Sequence, residues 1–312
     1  YTSKLFLKSC DSMLHLKNSN FYNPIYSLYF YFHNTKKSRK KIDIRKRYNL
    51  TEIYKTSTIN EYTSNLFLNG NIHDTITNTD QISELFAKCI PILDPIHTIM
   101  NNYSLESINI LQPSNYVYNT LQKVNSLNNS CYIDGFFSFI SSELYLKNKL
   151  PCFPIMYGSI NGISNNFKYD ITEEYSEFLE EKWFNKNIGK RFNIDMYISD
   201  SDSDDSVSVY NDDSICNINK MPVQYIFLEK LEGTLEDIEN KTNDVMKSCL
   251  FQIIFGLSYL QKHFEFTHND LHINNIMYSK TDKLYLYYKY NNLNFKVPTQ
   301  KYIFKIIDFG RS

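Results

Sequence analysis

The sequence predicts an α+β chain. Three observations predict it. Strand-like apolar segments at 153–160 and 223–231 precede the strongest amphipathic helix of the chain, at 244–264. That helix runs directly into a dense polar stretch, THNDLHINNIMY, at 267–278. A last strand then ends in IFKIIDFGRS, at 303–312. With 312 residues the chain is long enough for two lobes with real cores.

Composition narrows the function classes. Net charge is -1, so no global field argues for nucleic acid or membrane. Ala87 is the sole alanine and there are 8 glycines, while Tyr, Phe, Asn, Ile and Lys abound. Those abundant residues have AT-rich codons, which reads as genome bias and weakens helix assignments that lean on alanine. Cysteines 10, 89, 131, 152, 216 and 249 are scattered, without CxxC or zinc-type spacing, and read as buried reduced thiols of a cytosolic setting. The apolar runs are too short to span a bilayer, and no signal-peptide pattern stands at Tyr1. The chain opens on Tyr, so its true N-terminus is expected to lie upstream.

Taken in order, residues 1–35 are aromatic-rich and read as irregular. Between Lys36 and Arg47 stand eight basic residues. A solvated linker face is the preferred reading over a nuclear-import or nucleic-acid patch, because the chain is neutral overall and no base-stacking pattern follows. DQISELFAKCIPILDPIHTIM, at 80–100, reads as a short helix stopped by Pro91 and Pro95. Residues 131–149 place apolar side chains at 133, 136, 137, 140, 144 and 146, approximating one helix face. FPIMYGSI, at 153–160, is a strand.

From Asp195 to Asp213 aspartate and serine dominate, and no Lys or Arg occurs between Arg191 and Lys220. Such a run buries too little apolar area to order itself, so a disordered acidic insert is expected at 195–215, with serines suited to an acid-directed kinase. VQYIFLEKL, at 223–231, is a strand, and EGTLEDIEN turns into a short helix. In the helix at 244–264, positions 246, 250, 253, 254, 257 and 260 share a face. IMYSK follows as a strand. TDKLYLYYKYNNLNFKVPTQKYIFK reads as two strands joined by a turn near Asn291–Asn292.

Histidine, aspartate and asparagine in the order H-x-D-x-x-x-x-N, after a long helix and before strand-D-F-G, resemble the signature set of protein kinases. In that resemblance His268 is the loop histidine, Asp270 the catalytic aspartate that accepts the acceptor-hydroxyl proton, and Asn275 and Asp308 the Mg²⁺ ligands. Glu229, Lys230 and Leu231 resemble a hinge whose backbone meets adenine. Glu143 falls where a helix glutamate belongs, and Lys123, about 20 residues earlier, where its strand lysine partner belongs. Both remain open to an alternative reading as surface charges.

The resemblance covers roughly 115–312 and implies a protein kinase-like two-lobe fold. It implies a serine/threonine-protein kinase using ATP and Mg²⁺ on a protein substrate. Residues 1–75 would be an N-terminal extension of unknown fold containing the basic segment 36–47. Residues 76–228 would be an N-lobe-like region, and 229–312 the hinge and the first part of a C-lobe left incomplete after Asp-Phe-Gly, so a continuation is expected. The inserted hairpin and the D-L-H loop resemble haspin-type kinases and kinase-like proteins of giant DNA viruses, which implies the host cytoplasm or the virion.

Three departures stand out. No glycine-rich loop exists. Asn269 and His272 replace the usual arginine and lysine, and 32 residues separate Asn275 from Asp308. A catalytically impaired scaffold and a small-molecule phosphotransferase are the competing readings.

Overall fold

The computed structural model describes residues 2–25, 45–103, 118–197 and 213–312. Its architecture is α+β. Helix α1 (Thr2–Met13) turns at left-handed His15 into strand β1 (Leu16–Asn20). Strands β2 (Tyr48–Thr58), β3 (Leu66–Asp74) and β4 (Thr79–Pro91) follow as an antiparallel meander. Helices α2 (Pro95–Ile99), α3 (Tyr118–Val124) and α4 (Ser130–Leu146) come next. Asn129 caps α4, its side chain accepting from the Cys131 N–H.

Strand β5 (Met156–Ser164) leads into β6 (Phe167–Asp170), helices α5 (Tyr175–Glu180) and α6 (Lys182–Asn187), and strands β7 (Phe192–Tyr197) and β8 (Asp213–Ile218). Strand β9 (Met221–Glu229) then returns to the main sheet. That sheet has the antiparallel order β1-β5-β9-β4-β3-β2, and β6-β8-β7 form a small sheet of their own.

The rest builds on one helix. Strand β10 (Gly233–Thr234) precedes a 3₁₀ turn at Leu235–Asp237, closed by a capping box between Thr234 and Asp237. Helix α7 (Asn243–Phe264) is capped by Thr242 and ends at left-handed Glu265. Strands β11 (Ile276–Lys280), β12 (Tyr285–Tyr290), β13 (Leu293–Pro298) and β14 (Tyr302–Ile306) follow. β11 pairs with β14, and β12 with β13 as the expected hairpin. One apolar core lies under the main sheet around Leu85, Ala87, Ile160, Val223 and Phe227. A second lies around α7, with Phe153, Ile253, Phe266, Phe304 and Phe309. No described helix is long and apolar enough to cross a membrane.

Several expectations are corrected here. Residues 80–91 are strand, not helix, because their backbone pairs with β3 along one edge and, over 85–91, with β9 along the other. Residues 2–20 are a helix and a strand rather than irregular chain. The boundary expected after residue 75 falls in the turn between two paired strands, so β1, β2 and β3 belong to the main sheet. The α7 span holds, and of its expected face Met246, Ile253, Leu257 and Leu260 pack into the core, while Leu250 and Ile254 are exposed and Val245, Ser248, Cys249, Gln252 and Gly256 are buried as well. Most of the basic segment (36–44) and of the acidic insert (198–212) lies outside the described residues.

Candidate active site

Lys88 stands in an apolar strand, between Ala87 and Cys89. Its alternation places the ammonium on the face of β4 that meets helix α4. There Lys88 Nζ lies 2.6 Å from Asp134 Oδ2 and 2.9 Å from Asp308 Oδ1. The second carboxylate oxygen of Asp134 accepts from Ser138 Oγ at 3.3 Å and from the Phe309 N–H at 3.3 Å. One buried carboxylate thus ties β4, α4 and the turn after β14 together. Burial by itself would lower the Lys88 pKa, but Asp134 and Asp308 outweigh it and raise it. Burial raises the Asp308 carboxyl, but Lys88 and the Gly310 N–H outweigh that and hold it below the ordinary carboxylate range.

Helix α4 approaches the sheet through small residues. A Cβ on Gly135 would sit 2.9 Å from Gln224 Oε1, closer than real contacts allow. Ser138, Ser141 and Ser142 continue that buried face. The close approach lets a carboxylate one methylene shorter than glutamate reach Lys88.

The polar stretch after α7 is zipped to the end of β14. His268 Nε2 donates to the Ile307 carbonyl at 2.9 Å, and the Ile307 N–H donates to the Asn275 carbonyl at 3.1 Å. Asn275 Nδ2 donates to the Asp270 carbonyl at 2.9 Å and lies 3.0 Å from His272 Nε2. Asn269 (φ 56°) and Asp308 (φ 65°) both adopt the left-handed conformation that Asn and Asp tolerate best, aiming their side chains out of the run of the chain. Asn269 Nδ2 donates to the Arg311 carbonyl, and Arg311 pairs with Asp270 Oδ1 at 3.1 Å. Phe309 is buried against Phe137, Phe153 and Phe266, which seats Asp308 at the cavity wall.

A cavity of about 430 Å³ opens between the main sheet and the α7 region. Phe86, Lys88, Asp134 and Leu228 line one part of it, and Gly233, Met277, Asp308 and Phe309 another. Its rim at the end of β9 is braced from behind. Lys305, 1% exposed, bonds both Glu229 oxygens at 2.7 and 2.8 Å and sits over the Tyr145 ring. Glu229 Oε2 also accepts from the Ile155 N–H at 3.0 Å.

Of the residues expected at the site, Asp308 lines the cavity, while Asp270 and Asn275 are held next to it through the Asn275–Ile307 and Asp270–Arg311 contacts and are not among its lining residues. Glu229 and Leu231 line the cavity, while the Lys230 side chain turns away to Glu84 and the Phe67 ring. Lys123 and Glu143 are corrected. Lys123 lies on α3, where its carbonyl accepts from Asn129 Nδ2, and Glu143 pairs with Lys147 one turn along α4. Counting back about 20 residues from Glu143 lands on α3, because α2 and α3 intervene between β4 and α4. Lys88, Asp134 and Lys305 were missed, although each is a lone charge in an apolar run, which is the signal that marks them.

Among the described residues no cluster of three or more His, Cys, Asp or Glu could hold a metal by itself. Mg²⁺ takes one or two protein oxygens and completes its shell with phosphate and water. The Asp308 carboxylate, on the cavity wall, would offer such an oxygen. With its nitrogen engaged, Asn275 has its amide oxygen to offer.

No family model matches the chain. A probable serine/threonine-protein kinase of Dictyostelium discoideum is 41% identical over 91 residues. The match takes in 26% of this chain and 8% of that protein, so the chain spans a small part of that relative's length.

Proposed function

We propose that this chain carries the nucleotide site of a protein kinase that transfers the γ-phosphate of Mg·ATP to serine or threonine hydroxyls of a protein substrate. The observation that supports it most is the Lys88–Asp134–Asp308 contact at one end of a cavity whose other end is the Glu229–Leu231 rim. Phosphoryl transfer asks little covalent chemistry of the protein and depends on positioning and charge neutralisation. Lys88, held by Asp134, neutralises the phosphates. Asp308 and Asn275 would hold Mg²⁺, which when bound supplies charge neutralisation between the phosphate oxygens. The backbone of 229–231 meets the adenine. Asp270 orients the acceptor hydroxyl and takes its proton as the new O–P bond forms and the bond to ADP breaks. Arg311 holds one Asp270 oxygen, which leaves the other for the acceptor.

The test is transfer of labelled γ-phosphate to a serine-rich protein. Asp270→Ala is expected to lose it by a hundredfold or more on the order of general-base contributions, while Asp244→Ala retains it. Transfer unaffected by Asp270→Ala would refute the assignment. A second reading, a nucleotide-binding scaffold with little turnover, is favoured by one observation: Asp270 is already paired with Arg311. In that case the wild type binds Mg·ATP and transfers nothing.

A further inference from the structure

The loop between β2 and β3, residues 59–65 (INEYTSN), has no glycine. Ile59 and Asn65 at its two ends line the same cavity as Lys88 and Asp308. Asn65 Oδ1 accepts from the Cys89 N–H at 2.8 Å, which places this loop beside Lys88, at the cationic end of the cavity. The loop does not stand free. Ser64 Oγ accepts from the Lys168 N–H at 2.8 Å, and the Glu61 carbonyl accepts from Lys168 Nζ at 2.8 Å. The Tyr62 ring packs edge-on against Tyr197 with centroids 5.1 Å apart. The hydroxyl of buried Tyr225 donates to the Ser64 carbonyl at 3.4 Å. Apart from the Cys89 and Tyr225 bonds, all of these tethers run to the small sheet β6-β8-β7, which the candidate site otherwise does not use.

We propose that this small sheet is a clamp that holds loop 59–65 over the phosphate end of bound Mg·ATP, with Tyr62 and Ser64 as the positioning residues. The proposal rests on the nucleotide reading given above. A loop tethered at Glu61, Tyr62 and Ser64 is already ordered before ligand arrives. Little ordering entropy is then lost on binding, and the roof resists opening for release. An external clamp therefore does for this loop what its own sequence, without glycine, does not do by folding onto the phosphates.

The experiment compares Tyr62→Ala, Ser64→Ala and the conservative Tyr62→Phe in the full chain. Three quantities are read: release of a fluorescent Mg·ATP analogue by stopped flow, equilibrium affinity for adenosine, and hydrogen exchange of the 59–65 amides. Tyr62 is exposed enough that its truncation spares the core. Losing one tether is expected to speed Mg·ATP release roughly fivefold, the scale of one net hydrogen bond. Exchange in the loop rises, adenosine affinity stays as in the wild type, and Tyr62→Phe behaves as wild type. Unchanged release, or adenosine weakened as much as Mg·ATP, overturns the clamp while leaving the nucleotide site standing. A wild type that binds neither ligand overturns the nucleotide site, and the clamp with it.

Discussion

Lys88 Nζ lies 2.9 Å from Asp308 Oδ1, so an ammonium on strand β4 and a carboxylate beyond strand β14 meet across the cavity. Asp134, 2.6 Å away on α4, makes the contact three-way. Two carboxylates converge on one cation, which therefore keeps them from repelling each other.

Lys88→Met removes that cation and leaves a buried carboxylate unpaired. The expected cost is about 2–4 kcal/mol, toward the low side of a broken buried pair because Asp308 is partly exposed. Mg·ATP affinity falls at least about tenfold, the scale of one lost charge-assisted contact. Lys123→Met, in contrast, changes neither. Urea denaturation and calorimetric titration of the two variants check this.

The pair also sets a pH window. The Asp308 pKa is depressed in the folded chain, so its contribution is present above the unfolded carboxyl value near 3.9 and is lost as pH falls through the folded one. The Lys88 pKa is raised, so its contribution is complete below the unfolded value near 10.4 and is lost as pH rises through the folded one. The stability gap between wild type and Asp308→Asn is therefore expected to be flat from about pH 5 to about pH 9 and to close on acidification below about pH 3. A gap that widens on acidification would contradict the pairing.

Gly135→Ala puts a methyl against the Oε1 end of the buried Gln224 side chain, and any retreat of α4 from it lengthens the Lys88–Asp134 contact. Mg·ATP binding is expected to weaken several-fold, roughly in line with an overpacking cost of about 1–3 kcal/mol shared between fold and site. Asp134→Glu restores the missing reach, so the double variant binds better than Gly135→Ala by itself. A double variant no better than the single one would show that reach is not what Gly135 provides.

Lys305 braces the rim of the cavity. Lys305→Met leaves the Glu229 carboxylate half-buried without its cation, at a cost of about 3 kcal/mol. Adding Glu229→Leu recovers only part of it, because the Ile155 N–H then loses its acceptor. Full recovery would mean that the Ile155 bond contributes nothing. Chemical denaturation of the single and double variants measures both steps.

What the sequence makes legible here follows from periodicity and spacing. Helix α7, the hairpin β12–β13 and the order His268, Asp270, Asn275, Asp308 lie in continuous segments, so local pattern is enough to find them. Strand β4 is covered on both faces, so Phe86 and Ile90 are apolar alongside Leu85 and Ala87, and no alternation separates strand from helix. Helix α4 buries Asp134, Gly135, Ser138 and Ser142, while the pattern in sequence follows its aromatics on other faces. Asp134, the α4 side chain that reaches Lys88, therefore lies off the apolar face that the sequence presents. Lys305 and Glu229 meet although β14 and β9 belong to different sheets, a tertiary fact that no local window contains.

The central claim is that Asp308 and Asn275 share a cation beside the phosphates of a nucleotide in this cavity. A crystal structure with Mg²⁺ and a non-hydrolysable ATP analogue tests it most directly. The account predicts adenine at the 229–231 rim, Lys88 Nζ on a phosphate oxygen, and the metal about 2.1 Å from oxygens of both Asp308 and Asn275. Nucleotide bound elsewhere, or a metal that neither side chain touches, would contradict it.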